Sequence, residues 1–175
     1  MKSDFLEILH ERKSVRQYSE KKVTEEQLET LVRAGMAAPS AVNRQPWLFL
    51  AINDRVLLDE LGNRLPFAKM LLHAPAAIVV CGNMEKALDA WQQEFWIQDC
   101  SAATQNILLA AGSMGLGSVW TAVYPAKDRI EFVMDVLNLP SHLIPLNVLP
   151  IGYPEGLQRA KDKWKPENMW WNRWK

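Results

Sequence analysis

Apolar positions along the chain switch repeatedly between a helical and a strand-like spacing. Asp4-x-x-Glu7 precedes Leu6, Ile8 and Leu9, which predicts a capped helix ending around Glu11 to Lys13. Thr24-x-x-Gln27 is a capping box, and Leu28, Leu31 and Val32 at i, i+3 and i+4 predict a second helix stopped near Gly35. Trp47 to Ile52 is a short apolar run suited to a buried strand, and Asp54 can cap the helix that carries Leu57, Leu58 and Leu61. Ala76 to Cys81, Val119 to Val123 and Leu146 to Ile151 read as further strands, apolar enough to be buried on both faces.

The longest predicted helix runs from about Glu94 to Ser113. Trp96, Cys100, Ala103, Ile107, Ala110 and Met114 form one apolar stripe, and Ile97, Thr104, Leu108 and Ala111 mark a second face. A helix apolar nearly all round is central to a core or shared with a partner, which makes this the candidate dimer helix. Asp99 falls inside it, and a buried carboxylate there must face solvent or find a partner. A later helix spans Lys127 to Asn138, ended before Pro140. The mixed order predicts helices on both faces of one sheet, in a single domain over 1–175.

Charge narrows the partners. Twenty basic side chains balance twenty acidic ones, so no overall field favours nucleic acid or an acidic membrane, and any anion site is local. No run approaches the ~20 apolar residues of a membrane span. Cys81 and Cys100 sit in apolar sequence without C-x-x-C spacing, which predicts buried reduced thiols and a cytoplasmic protein. His10, His73 and His142 are scattered without metal spacing. Four of eight tryptophans, Trp164, Trp170, Trp171 and Trp174, crowd the last twelve residues, and rings that large are expected to pack on something. Asp162 and Glu167 interrupt the tail's basic residues, so packing is preferred to base stacking.

Three segments could carry chemistry. Arg12-Lys13-Ser14-Val15-Arg16 puts three cations and a hydroxyl where a helix gives way to a loop, suited to phosphate or simply to a solvated helix end favoured by the dipole. Ala38 to Trp47 combines two prolines with amides and a hydroxyl that could read the edge of a planar heterocycle, or forms merely a turn-rich loop. Gly112 to Ala122 contains G-x-G, but these glycines end a helix before a strand, the reverse of the dinucleotide fingerprint, which argues against a Rossmann site.

Taken in order, R-K-S-V-R-Q-Y at 12–18, P-S-A-V-N-R-Q-P-W at 39–47, G-L-G-S-V-W at 115–120 and P-I-G-Y-P at 150–154 resemble the nitroreductase family of flavoenzymes, across essentially the whole chain. The resemblance implies an α+β fold, a three-layer αβα sandwich around a mainly antiparallel sheet, whose C-terminal tail extends onto the partner subunit. It implies FMN, with Arg12 and Ser14 at the phosphate, Lys13 adding a backbone contact, and Arg16 near the pyrimidine edge. A fixed cation there stabilises charge that reduction places around N1 and O2. By the same resemblance Pro39, Ser40, Ala41 and Asn43 reach the flavin from the other subunit, Thr121 and Ala122 pass beside the isoalloxazine, and Lys161 and Lys163 complete the phosphate pocket. Many relatives have Arg at the second of those two positions, and Lys lacks its bidentate fork. Lys69 resembles a flavin-edge lysine, although Pro66 stands where some relatives carry asparagine, and a solvated helix lysine is the alternative.

The implied activity passes electrons from NADH or NADPH through FMN to an electron-poor small-molecule acceptor such as a nitroaromatic or quinone, in a homodimer without bound metal. The flavin carries the chemistry, so no acid–base pair is expected. Another reaction on the same fold, dehydrogenation or dehalogenation, and a non-enzymatic flavin-binding redox module are the alternatives.

Overall fold

The computed structural model describes residues 5–156 and 158–174. Five strands, β1 (Trp47–Ile52), β2 (Ala76–Asn83), β3 (Gly117–Ser118), β4 (Thr121–Ala122) and β5 (Leu143–Gly152), form an antiparallel sheet in the order β1-β2-β5-β3, with β4 also on β5. Five helices accompany it: α1 (Phe5–Glu11), α2 (Glu25–Met36), α3 (Arg55–Arg64), α4 (Phe95–Ser113) and α5 (Lys127–Val136).

Period-two alternation in the central strands builds two cores. Ile78 and Val80 of β2, with Leu149 and Ile151 of β5, pack against Leu28 and Leu31 of α2 and Cys100, Ala103 and Ile107 of α4. On the opposite face Ala77, Val79 and Cys81, with Val148, pack against Leu58 and Leu61 of α3 and Val133 of α5. The layers are therefore helices, sheet, helices, which is the expected αβα sandwich.

The local signals hold with informative exceptions. The Thr24 hydroxyl accepts the Gln27 N–H and the Gln27 side chain accepts the Thr24 N–H, which closes the capping box. Asp54 caps α3 by accepting the Val56 and Leu57 N–H groups. Asp4 lies outside the described residues. α2 ends at Met36, beside Gly35 as expected, and a Cβ on Gly35 would stand 3.0 Å from Ile107, so the glycine also lets α2 approach α4. Of the strand expected at Val119 to Val123 only Thr121–Ala122 forms one, as β4; β3, Gly117–Ser118, lies before the expected span, and Val119 and Trp120 separate the two. Ser118 pairs with Ile151 and Thr121 with Val148, a register that sets Pro150 opposite Val119, and proline has no N–H to close the ladder. α5 ends at Val136, two residues short of Asn138.

No helix among the described residues is long and apolar enough to cross a membrane. Both cysteines are free and buried. Burial pushes the Cys81 thiol up to about 12 and the Cys100 thiol upward as well, which leaves neither as a nucleophile at neutral pH.

Candidate functional site

The end of α4 shows why the glycine-rich segment has its form. Met114 caps the helix, Gly115 turns left-handed at φ 71°, the Leu116 N–H reaches the Ala111 carbonyl at 2.8 Å, and the Gly115 N–H reaches Gly112 at 3.1 Å. This is a Schellman stop, in which a glycine takes the positive φ and two late carbonyls find donors. Gly117 serves another purpose, because a Cβ on it would come within 2.6 Å of Val15. Its bare backbone lets the chain after α1 lie against β3, where Ser14 bridges Ser118 and the Val15 N–H donates to the Ser118 carbonyl at 3.0 Å. The Tyr18 hydroxyl reinforces this by donating to the Val15 carbonyl at 2.7 Å, and burial raises its pKa.

Arg12 and Lys13 consequently line a cleft of about 190 Å³ with Ile8, Glu11, Leu109, Gly112, Gly115 and Gly117. Both are half-buried, whereas Ser14 and Arg16 are exposed beside them. Two cations and three glycines make a cradle suited to an anion, with Glu11 as the one opposing charge among the described residues that line it. Thr121 and Ala122 follow β3 after Val119 and Trp120 and pair with Val148 and Asn147 of β5; Thr121 is buried and Ala122 exposed. Met70 packs on the cluster of Val15, Tyr18 and Ala74, which draws the 3-10 turn Lys69–Leu72 toward the Arg12 segment. Lys69 itself is exposed, its Nζ 3.5 Å from the Asn63 carbonyl.

Pro39, Ser40, Ala41 and Asn43 stand elsewhere. They occupy a 3-10 turn, Ala41–Asn43, and its approach, over a groove lined by Phe95, Gln98, Asp99 and Ala102 near the start of α4. The Arg12 cleft touches Leu109 and Gly112 near the other end. Thirteen residues from Asp99 to Gly112 amount to about 20 Å of helix. One chain therefore does not bring these two predicted half-sites together. Gln98, Ala102, Gln105, Leu109 and Gly112 fall on one side of α4 at 100° per residue, and the groove and the cleft flank that side. Lys161 and Lys163 lie exposed on the tail, and in the protomer Trp171 and Trp174 are 77% and 76% exposed.

Asp99 resolves as the partnered case. It is buried, and its Oδ1 accepts the Ala41 N–H at 2.9 Å; burial raises its carboxyl pKa and that hydrogen bond partly offsets the rise. The polar residue inside an apolar helix was the sequence signal, but its partner lies 58 positions away. The role of Gly117 was equally unreadable, since the G-L-G run does not reveal that Val15 folds onto it. His10, His73 and His142 are far apart in the chain, and the described residues contain no His, Cys, Asp and Glu group able to hold a metal.

The model of the Nitroreductase family matches residues 9–66 and 60–153. The "Putative NADH dehydrogenase/NAD(P)H nitroreductase" of Methanothermobacter thermautotrophicus is 41% identical over 175 residues, covering 99% of this chain and 89% of that protein. A crystal structure of the same name from Parabacteroides distasonis superposes with a TM-score of 0.92 at 50% identity, over 97% of this chain and 98% of that one. A crystal structure described as a putative nitroreductase in complex with FMN, from Desulfovibrio desulfuricans, gives a TM-score of 0.83 at 26% identity, over 99% of each chain.

Proposed function

The chain belongs to the nitroreductase family, and from that membership we propose an NAD(P)H-dependent oxidoreductase that holds FMN between two copies of itself and reduces an electron-poor organic acceptor such as a nitroaromatic or quinone. When bound, FMN supplies the two-electron chemistry, accepting hydride from the nicotinamide and passing electrons to the acceptor. The observation that carries this reading is the Arg12-Lys13 cleft fastened to β3 through Gly117, with the Pro39–Asn43 segment at the opposite end of the same helix.

The residues fit the group. Arg12 and Lys13 offer cationic and backbone donors in a glycine-walled cradle beside the Ser14 hydroxyl, the donor set that a phosphate monoester needs. Arg16, exposed one turn of chain further on, supplies positive charge for the pyrimidine edge, where it favours the reduced state. Thr121 and Ala122 give the strand edge beside the ring, and Lys69 a second cation. Lys161 and Lys163 are assigned to the phosphate through the tail.

Dimerisation completes the site in this reading. Pairing two α4 helices antiparallel about a two-fold axis sets the start of one beside the end of the other, so that Pro39, Ser40, Ala41 and Asn43 of one copy meet Arg12 and Ser14 of its partner. Ala102 and Gly112 are small enough for close helix approach, and the tail tryptophans find their cover on the partner. Two buried, reduced thiols suit a cytoplasmic location.

Acid release and chromatography of the purified protein, followed by anaerobic mixing with NADH and then NADPH, tests the proposal. About one FMN per chain and rapid bleaching of the flavin band by at least one nicotinamide are expected. FAD as the tight cofactor, absence of bound flavin, or a flavin that neither nicotinamide reduces would contradict it.

A further inference from the structure

No role described above uses the carboxylate of Asp99. Its side of α4 carries no other charge within reach of the groove, whose lining is Pro39, Ser40, Ala41, Phe95, Gln98 and Ala102. An ionisable side chain only 7% exposed is an expensive way to fill such a place, and an alanine or leucine would pack there without the desolvation penalty. What Asp99 offers and they do not is an acceptor for the Ala41 N–H, met at 2.9 Å.

The segment so held is strained. Val42, Asn43 and Gln45 all have left-handed backbones, at φ 51°, 55° and 51°. Asparagine tolerates that region, but a β-branched valine does not, and Val42 is 81% exposed, so burial of its side chain does not enforce the conformation. Ser40 Oγ accepts the Gln45 N–H at 2.9 Å and Asn43 Oδ1 accepts from Gln45 Nε2 at 3.0 Å, bonds that shape the turn without fixing its position. The Asn83 N–H donates to the Pro46 carbonyl at 2.7 Å and secures the exit to the sheet. Asp99 secures the turn itself to α4.

We infer that Asp99 is a positioning residue for the flavin site: through the Ala41 N–H it sets where the strained turn stands along α4, and so how Ser40, Ala41 and Asn43 meet the flavin bound mainly by the partner copy. This rests on the shared-site reading under Proposed function. The requirement is for an acceptor oxygen, which an amide also supplies. Burial raises the carboxyl pKa, in keeping with a site where charge is not what is needed.

The test measures FMN affinity, the visible spectrum of bound flavin and sedimentation for the parent protein, Asp99→Asn and Asp99→Ala. Asp99→Asn is expected to stay within about threefold of the parent, while Asp99→Ala weakens FMN by about tenfold, as loss of one ordinary hydrogen bond allows, and shifts the flavin spectrum in an intact dimer. Ala41→Pro removes the donor instead. Ala41 is the first residue of its turn and Ser40 before it is extended at φ −141°, ψ 156°, both compatible with proline, so this variant keeps the test decisive if Asp99→Ala does not fold. It is expected to match Asp99→Ala. Parent-like affinity in Asp99→Ala or Ala41→Pro, or a loss in Asp99→Asn equal to that in Asp99→Ala, overturns the inference. Absence of FMN from the parent overturns the flavin reading itself, and is seen before any variant is made.

Discussion

At the scale of single residues, two glycines and an aspartate organise the candidate site without offering any catalytic group. Gly115 lets α4 stop, and Gly117 lets the Arg12 segment close on β3. A Cβ at 117 would meet Val15 Cγ1 at 2.6 Å and Val15 Cβ at 2.7 Å, so trimming Val15 to alanine relieves only part of the clash. Gly117→Ala is therefore expected to cost about 1–3 kcal/mol of stability, the usual penalty of overpacking, and to weaken FMN together with it. Paired urea unfolding and flavin titration check this, and an alanine variant of parental stability and affinity would remove Gly117 from the account. The sequence made these glycines conspicuous by their clustering. It could not separate the one that needs a positive φ from the one that needs empty space, because the second depends on a residue about a hundred positions earlier.

Among the elements, α4 is the best predicted and the most consequential. Its apolar stripes placed the helix within one residue of its observed start and at its observed end, because burial on several sides leaves a strong periodic signal. β1 and β2 were legible as short uninterrupted apolar runs instead. The broken β3 and β4 were not: the run Val119 to Val123 reads as one strand, and the interruption comes from Pro150 on the neighbouring strand, which a reading along one segment does not see. The short 3-10 turns at Lys69–Leu72 and Ala90–Glu94 likewise lack a periodic pattern long enough to detect. The side of α4 that carries Gln98, Ala102, Gln105, Leu109 and Gly112 bears the assembly claim. Replacing Ala102 with Arg puts a long charged side chain at its middle, and an unpaired charge buried in an interface is strongly unfavourable. Analytical ultracentrifugation should then show monomers that no longer retain FMN, and a flavin-loaded dimer of normal stability would exclude this side of α4 as the contact.

The whole molecule poses the question that neither residues nor elements answer alone. The four family-like segments are spread over the chain, and folding gathers three of them, 12–18, 115–120 and 150–154, around β3 and the start of the tail: Ser14 bridges Ser118, Gly117 pairs with Gly152, and Tyr18 bridges Pro154. The fourth, 39–47, stays about 20 Å away along α4. Order in sequence thus carried the resemblance, and with it the expectation that 39–47 serves the other subunit, while the distance that separates this segment from the other three within one chain appears only in three dimensions. The central claim is that one flavin site takes residues from two chains, and mixing two crippled variants tests it directly. Arg12→Glu spoils the phosphate half and Asn43→Trp the reaching half, so neither homodimer should retain FMN. Unfolded together and refolded as a mixture, they form heterodimers with one site built from two damaged halves and one from two intact halves. The account predicts that the mixture recovers FMN and nicotinamide-driven reduction, at one flavin per heterodimer. Heterodimers that form but stay colourless, with each homodimer equally empty, would show that the site lies within one chain and contradict it.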